Sequence, residues 1–252
     1  LHMHSKKGAD IFVLNCDTLI IGSGYSSAGF ALTENNCLIA EETEMCDTHF
    51  YLPLQCYEYK DFAPSENISA ELYDTFQKFG LFKNGMQNVN AFECAFSAFL
   101  KEHKTNVLLK SRVVSTEQKD GKYFVNLYTN SGLERVCADK LLDCRTVKNS
   151  PLYFTVLYKA EKNSVQSDLQ EIFTGSFSQE AFYDTRYALY VPYDRNTDLN
   201  AFKLSLYNRW KESQIDAKIL CFAPIAGTLG ESGVTNPVEA FEHGIKLAKE
   251  GK

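Results

Sequence analysis

The chain has 252 residues, of which 44% are hydrophobic and 13% aromatic, which is enough apolar material for a packed core and excludes a disordered chain. Its formal net charge of -6, from 26 Lys and Arg against 32 Asp and Glu, argues against nucleic acid as the main partner. No apolar run reaches about 18 residues, so no membrane span is predicted.

The first motif in chain order joins an apolar segment, two glycines and an acidic end. Residues 16–21 are apolar and β-branched and predict a strand. Gly22 allows a sharp turn off that strand, and Gly24 leaves room for a pyrophosphate to approach bare backbone. The next apolar run ends in Glu41 and Glu42, which are placed to accept hydrogen bonds from an adenosine ribose. The pattern predicts a βαβ dinucleotide-binding unit; the alternative is a surface turn that carries glycines by chance.

The helix predicted after Gly24 supplies the phosphate site of such a unit. It starts with Tyr25, Ser26 and Ser27, and Ser27 takes the third small position, where bulk would push the helix off the sheet. The unpaired N–H groups and the positive dipole end of a helix N-terminus favour phosphate.

The middle of the chain predicts helices followed by strands. After an irregular, aromatic-rich stretch at 43–69, helices are predicted at 70–79 and 90–103, each with an apolar stripe. A short apolar strand at 107–109 suits a parallel sheet. Alternating segments then predict an antiparallel meander followed by another apolar strand: 112–117, 123–129 and 134–137, then 140–144.

The last part of the chain breaks the strand–helix rhythm before returning to it. Strands and helices alternate irregularly and predict an inserted α+β cap: strands at 152–159 and 187–191, helices at 166–173 and 199–210. An apolar strand at 217–222, a glycine-rich loop and a helix at 238–250 close the chain.

The cysteines are scattered and carry no metal or disulfide pattern. None of the eight forms a C-x-x-C, and the histidines show no ligand-like spacing with them, so no metal site is predicted. Scattered thiols in a chain of this size indicate a reducing cytoplasm, with cysteines acting as small hydrophobic residues.

Together these blocks resemble the FAD-dependent oxidoreductases of the glutathione-reductase structural type, as a divergent, short member. The likeness is carried by residues 17–29 with Glu41, by 90–114, by the meander that ends at Asp143, and by 230–248. It implies an α/β fold in which a Rossmann-like FAD/NAD(P)-binding domain contains a three-stranded β-meander and a small inserted α+β cap. The dinucleotide-binding domain is expected at 11–150 and 215–252, and the cap at 151–214.

The resemblance also implies FAD as the cofactor and a set of residues around it. The pyrophosphate is expected on the glycine turn and helix start, the ribose at Glu41, the adenine near Val113 or Val114, and the flavin ring at the C-terminal loop and helix start. The implied cofactor-binding residues are Gly22, Gly24, Tyr25, Ser26, Ser27, Glu41, Glu42, Val113, Val114, Gly233, Asn236 and Pro237. The helix N-terminus after Pro237 would stabilise negative charge on a reduced flavin.

Three side chains are candidates for chemistry, each with a simpler alternative. Cys46 suits a redox partner or a flavin attachment point, and otherwise a buried loop cysteine. His49 suits a proton donor or substrate ligand, and otherwise a packing or surface histidine. Arg145 suits a bidentate grip on a phosphate or anionic substrate, and otherwise an ordinary ion pair.

The sequence thus predicts a cytoplasmic FAD-dependent oxidoreductase that transfers hydride or electrons between bound flavin and a small organic substrate. The alternative is a non-catalytic FAD- or nucleotide-binding sensor or scaffold, favoured because Cys144 and Arg145 follow Asp143 where the family has a glycine. A plain doubly wound NAD(P) dehydrogenase fits less well, because the meander interrupts the alternation of strands and helices. A homo-oligomer is compatible with the sequence, which leaves the substrate and the electron acceptor open.

Overall fold

The computed structural model describes residues 13–46, 49–54, 63–83, 86–87, 89–145, 150–161, 165–173, 176–177, 186–229, 231, 234 and 236–251, and the structural statements concern these residues. Within them the chain forms a six-stranded and a four-stranded sheet, a two-stranded hairpin and six helices.

The chain begins with the predicted strand, turn, helix and strand. Strand β1 (Val13–Ile21) leads through the glycine turn into α1 (Tyr25–Thr33), and β2 (Cys37–Ala40) returns parallel to β1. Helix α1 is short because its C-cap Glu34 is extended and Asn36 adopts a left-handed φ of 49°. The parallel pairing of β1 and β2 across a helix is the βαβ unit that the sequence predicts.

The six-stranded sheet has the order β5-β2-β1-β8-β7-β6. It is completed by β5 (Val107–Leu108), β6 (Arg112–Lys119), β7 (Lys122–Thr129) and β8 (Gly132–Asp143). Strands β6, β7 and β8 follow one another antiparallel. The separate strands predicted at 134–137 and 140–144 are wrong: they form the single strand β8, which pairs antiparallel with β7 in its first half and parallel with β1 through residues 135–143.

Two amphipathic helices bring the aromatic core against α1. Helix α2 (Asn67–Lys78) and helix α3 (Val89–Glu102) are connected through the hairpin of β3 (Phe82–Lys83) and β4 (Met86–Gln87). Tyr25 of α1 is fully buried, and its ring contacts the rings of Phe50, Phe76 and Phe96 at centroid distances of 5.2, 5.9 and 4.1 Å. Tyr25 therefore anchors the helix by burying its ring.

The four-stranded sheet has the order β10-β11-β9-β12 and is antiparallel. It comprises β9 (Leu152–Ala160), β10 (Ser176–Phe177), β11 (Arg186–Tyr193) and β12 (Ala217–Phe222), with helices α4 (Val165–Phe173) and α5 (Leu199–Glu212) between them. The strand predicted at 217–222 is present, and it pairs with β9 rather than with the six-stranded sheet. The division into domains at 151 and 215 stays a prediction. The pairing concerns its second boundary, because the prediction assigns residues 215–252 to the dinucleotide-binding domain and β12 pairs with β9.

The final helix, α6 (Pro237–Lys249), packs on α1 at a glycine contact. A Cβ at Gly29 would overlap the carbonyl oxygen of Phe241, and a Cβ at Gly244 would overlap that of Ser26. The Ser26 hydroxyl donates to the carbonyl oxygen of Ala240 at 2.9 Å. The two helices thus approach each other backbone to backbone.

The largest core cluster contains buried residues from α1, α2, α3, α6 and the four-stranded sheet. On β1, neighbouring residues serve opposite faces: Ile20 packs with Phe30 of α1 and Ala248 of α6, whereas Leu19 packs with Val125 and Val136. Among the helices described, none combines the length and the apolar composition needed to cross a bilayer.

Candidate functional site

The candidate site lies where the parallel strands β1, β2 and β8 end. Ligands of open α/β sheets bind beyond the carboxyl ends of such strands. Gly22 makes the turn off β1 with a φ of 98°, a left-handed value that favours glycine, and its N–H donates to the carbonyl oxygen of Ala40. The Ser27 hydroxyl donates to the carbonyl oxygen of Gly22 at 2.8 Å and fixes the turn on α1.

Glu41, at the end of β2, is a buried carboxylate that organises the loops around it. Its Oε2 accepts from the backbone N–H of Ser23 at 2.7 Å and from the Ser23 hydroxyl at 2.9 Å. Its Oε1 accepts from the backbone N–H of Thr43 at 2.8 Å. Three of its roughly four acceptor positions are thus used within the chain, so a ribose hydroxyl has at most one left to bond.

A second carboxylate lies at the N-terminus of α1. Glu231 is 3% exposed, and it accepts from the backbone N–H of Tyr25 at 2.8 Å through Oε2 and from that of Ser26 at 3.0 Å through Oε1. These are the donors that the βαβ pattern offers to a pyrophosphate. The chain's own carboxylate therefore satisfies the anion-binding end of the helix.

Gly24 shows how completely Glu231 fills this position. A Cβ at Gly24 would lie 2.5 Å from Oε1 and 2.7 Å from both Cδ and Oε2 of Glu231. The φ of Gly24 is -112°, which any residue can adopt, so the space above it and not its backbone conformation calls for glycine. That space, which the motif keeps open for phosphate, contains the Glu231 carboxylate.

Beside Gly22 a cavity of about 200 Å³ opens toward the ends of β2 and β5. Its volume lies under the roughly 300–1,000 Å³ usual for drug-sized ligands. It is lined by Ile21, Gly22, Glu41, Glu42, Thr43, His49, Leu52, Ser111, Val113, Arg145 and Ile225. Its position next to Glu41 and Val113 is the one predicted for the adenosine half of a dinucleotide.

Two of the candidate chemical residues meet in this cavity. Arg145 binds Asp143 with both prongs of its guanidinium, Nε to Oδ1 at 2.8 Å and Nη2 to Oδ2 at 2.5 Å, and this contact lowers the pKa of Asp143. This geometry is that of an ordinary ion pair, the alternative that the sequence analysis gave for Arg145. His49 is 8% exposed, and its Nε2 lies 3.3 Å from the carbonyl oxygen of Cys144.

Two other predicted residues, Cys46 and Val114, lie outside the cavity. Cys46 is buried in the aromatic core cluster, the environment of a packing cysteine. Val114 is 59% exposed, because a register shift between Val113 and Ser115 interrupts the pairing of β6 with β7 there, so Val113 alone of the pair lines the cavity. Glu42 lines the cavity and lies 3.5 Å from the Arg112 guanidinium.

The N-terminus of α6 is capped by its own chain. Pro237 has no N–H, and the Asn236 side chain accepts from Val238 at 2.9 Å and from Glu239 at 3.3 Å. The Ala240 N–H donates to the carbonyl oxygen of Asn236. The donors expected to face a flavin are thereby satisfied within the helix cap. The predicted contact at Gly233 lies outside the described residues.

The sequence pattern missed part of this site. It did not indicate that Glu231 contacts α1, because this contact joins residues 206 apart in the chain. Ser23, Thr43 and Ser111 were also missed. Position alone could have indicated them, since each lies just beyond the end of a parallel strand.

Comparisons with models of known protein families and with curated proteins gave no match. Among solved structures, a flavoprotein/dehydrogenase from Cytophaga hutchinsonii is similar with a TM-score of 0.52 and 10% identity, over 93% of this chain and 77% of that one. The p-nitrophenol 4-monooxygenase PnpA from Pseudomonas putida DLL-E4 gives 0.52 and 8%, over 85% and 67%. The substrate-free rebeccamycin biosynthetic enzyme RebC gives 0.45 and 13%, over 84% of this chain and 53% of its own.

These likenesses show the fold alone. The chain shares its mixed α/β fold with the flavoprotein/dehydrogenase and the monooxygenase, and it spans about half the length of RebC.

The residues present fit the two halves of a dinucleotide differently. The cavity beside Glu41 and Val113 agrees with an adenosine position. The pyrophosphate position does not fit while Glu231 bonds to Tyr25 and Ser26, because carboxylate and phosphate would need the same donors and the same space above Gly24.

Proposed function

We propose that the chain binds FAD and belongs to a flavin-dependent oxidoreductase of the glutathione-reductase structural type. Its reaction is the transfer of hydride or electrons between the flavin and a small organic substrate. The observation that carries the proposal is the turn at Gly22 and Gly24 between parallel strands, with the buried Glu41 at the end of the second strand. A bound flavin supplies the redox chemistry, and the protein binds and shields it.

Two further observations support the proposal. The chain shares its fold with a protein described as a flavoprotein/dehydrogenase. The strands β6, β7 and β8 are antiparallel beside the parallel strands, an arrangement that a plain doubly wound dehydrogenase core lacks.

The proposed roles of the site residues follow from their positions. Glu41 and Val113 would border the adenosine, and the turn at Gly22 would carry the adjoining phosphate. His49 lines the same cavity, and its proposed role is a substrate or cofactor contact. Arg145, already bound to Asp143, shapes the cavity wall beside Gly22. The four-stranded sheet with α4 and α5 would form the cap over the substrate.

The first test is an absorption spectrum of the purified protein before and after incubation with excess FAD and desalting. We expect visible flavin bands that remain with the protein and bleach when a reductant is added. Gly24→Asp should abolish this retention, because its side chain adds bulk and negative charge above the α1 N-terminus.

A matched glycine variant serves as the control. Gly121 lies in the turn between β6 and β7 with a φ of 77°, and none of the described residues beyond its chain neighbours has an atom within 4 Å of its would-be Cβ. Gly121→Asn should retain FAD like the unchanged protein, since Asn tolerates left-handed turns. A protein that takes up no FAD would overturn the proposal. Bound FAD that a reductant bleaches, but that no organic substrate reduces, would instead favour the nucleotide-binding sensor.

A further inference from the structure

We infer that Glu231 is an internal competitor of the dinucleotide's pyrophosphate, so that the cofactor binds only when this carboxylate leaves the α1 N-terminus. The inference rests on the proposed function, because it concerns the regulation of the same site. It assigns to Glu231 the role of an autoinhibitory contact that discriminates between ligands with and without phosphate.

The first argument is chemical equivalence. A helix N-terminus binds an anion through its first N–H groups and its dipole, whether the anion is a phosphate or a carboxylate. The two oxygens of Glu231 engage two successive N–H groups, Tyr25 at 2.8 Å and Ser26 at 3.0 Å. One carboxylate thus satisfies the donors that the motif presents to two phosphate oxygens.

The second argument is that the contact is buried and held from both sides. Glu231 is 3% exposed, and its backbone N–H and carbonyl oxygen bond to Val234 at 2.8 and 2.9 Å. On the other side, the hydroxyls of Ser26 and Ser27 tie α1 to Ala240 and to Gly22. The carboxylate therefore bridges two anchored segments of backbone.

The third argument is mutual exclusion. All three carboxyl atoms of Glu231 lie within 2.7 Å of a would-be Cβ at Gly24, so no phosphate oxygen fits there at the same time. A ligand that must wait for an open state binds with an affinity reduced by the fraction of protein in that state. In the closed state the Glu231 carboxylate lies on the α1 N-terminus, and in the open state it has left it. Two charge-assisted hydrogen bonds stabilise the closed state, and such bonds are stronger than neutral ones.

We expect the position of Glu231 to leave the affinity for adenosine unchanged. The cavity beside Gly22 is bordered by Glu41, Val113 and Arg145, and Glu231 is not among its lining residues. A neutral nucleoside should therefore bind equally with Glu231 in or out, whereas ADP and FAD should bind only with it out.

The experiment is calorimetric titration of the full chain with adenosine, ADP and FAD, using the unchanged protein, Glu231→Gln and Glu231→Ala. We expect the Ala variant to bind ADP and FAD at least about tenfold more tightly. Adenosine affinity should stay within about twofold, as for independent sites. The control is Glu102→Gln, which removes one carboxylate from the exposed C-terminal end of α3 and should change none of the three affinities.

Thermal unfolding gives a second, independent readout. Both variants should melt at lower temperature without ligand, because buried N–H groups of α1 lose an acceptor. ADP should then raise the melting temperature of the variants more than that of the unchanged protein, since it replaces the lost acceptor. Glu231→Gln keeps one side-chain oxygen and is the variant to use if the Ala variant fails to fold.

The outcomes separate the two proposals. If the unchanged protein binds FAD as tightly as both variants, the competition is refuted and the proposed function stands. If adenosine binding tightens as much as ADP binding, Glu231 acts on the whole site and the phosphate-specific inference is wrong. If no protein binds ADP or FAD, the proposed function fails, and the inference fails with it.

Discussion

At the scale of single residues, the site is organised by two buried carboxylates that face backbone N–H groups. Glu41 accepts from Ser23 and Thr43, and Glu231 accepts from Tyr25 and Ser26. A buried carboxylate is tolerated when hydrogen bonds replace its hydration. Together these residues hold the turn between β1 and α1 in shape, so the loop is pre-organised without a ligand.

The cysteines are a second residue-scale feature, and their surroundings set their reactivity. Burial raises the pKa of Cys16 and of Cys37 to about 11, with a smaller contribution from Glu34 for Cys37. Cys94 is exposed on α3. We expect a thiol-alkylating reagent to modify Cys94 in the native protein and to reach Cys16 and Cys37 only on unfolding, as peptide mapping would show. Early labelling of Cys16 or Cys37 would contradict this.

The raised pKa of Cys16 and Cys37 also determines how the free energy of unfolding changes with pH. A thiol whose pKa is raised by folding contributes stability that is present below its unfolded pKa, about 9, and lost as the pH rises toward about 11. The free energy of unfolding should thus fall between about pH 9 and about pH 11. A Cys16→Ala, Cys37→Ala double variant should show a smaller fall, and an equal fall would assign the effect to other groups.

At the scale of elements, the crossing of α1 and α6 is set by two glycines. The overlaps that a Cβ would make at Gly29 and Gly244 are with backbone carbonyl oxygens, which cannot move without shifting a helix. The crossing and the hydrogen bond from the Ser26 hydroxyl to Ala240 place the first turn of α6 beside the first turn of α1. The site therefore depends on the spacing between these two helices.

Gly29→Ala and Gly244→Ala should each destabilise the protein by about 3 kcal/mol or more, because overpacking against backbone forces the helices apart. Denaturant unfolding would measure this. The matched control is Ser205→Ala on the exposed face of α5, where a change within about 0.5 kcal/mol is expected. A neutral effect at both glycines would show that the helices can separate without loss.

Helix α2 is tied to α6 by a carboxylate in the same way as α1 is tied to Glu231. The Glu242 side chain accepts from Ser65, from the Glu66 N–H and from Ser69 at the start of α2. Burial alone would raise the pKa of Glu242, but these hydrogen bonds outweigh it and hold the pKa below its ordinary value. Among the described residues, the N-termini of α1 and α2 thus each meet a carboxylate from a distant part of the chain.

At the scale of the whole molecule, the four-stranded sheet shares one core with helices α1, α2, α3 and α6. The largest buried cluster contains Tyr25 and Phe241 beside the six-stranded sheet and Tyr158, Leu189 and Trp210 in the four-stranded unit. A continuous core favours unfolding as one unit, whereas domains with separate cores would unfold independently.

The single tryptophan makes this testable. Trp210 is 7% exposed on α5, and its indole N–H donates to the carbonyl oxygen of Ala217 at 3.0 Å, so its fluorescence reports on the four-stranded unit. We expect its unfolding transition in denaturant to coincide with that of the far-ultraviolet circular dichroism. Two separate midpoints would show that the predicted cap at 151–214 unfolds on its own.

The sequence by itself determined the local elements. Residues 16–40 predicted strand, glycine turn, helix and parallel strand, because hydrophobic period and turn chemistry are set by neighbours in the chain. The alternation in 112–137 likewise predicted antiparallel strands. The sequence also pointed to Gly22, Gly24 and Glu41 as a nucleotide-binding pattern.

Only the tertiary structure decided how those elements are used. It merged two predicted strands into β8 and paired β12 with β9, because pairing depends on partners far away in the chain. It also placed Glu231 on the donors of Tyr25 and Ser26, across 206 positions in the chain. The sequence pattern predicts where a helix begins. The packing of the whole molecule determines which anion reaches the N-terminus of that helix.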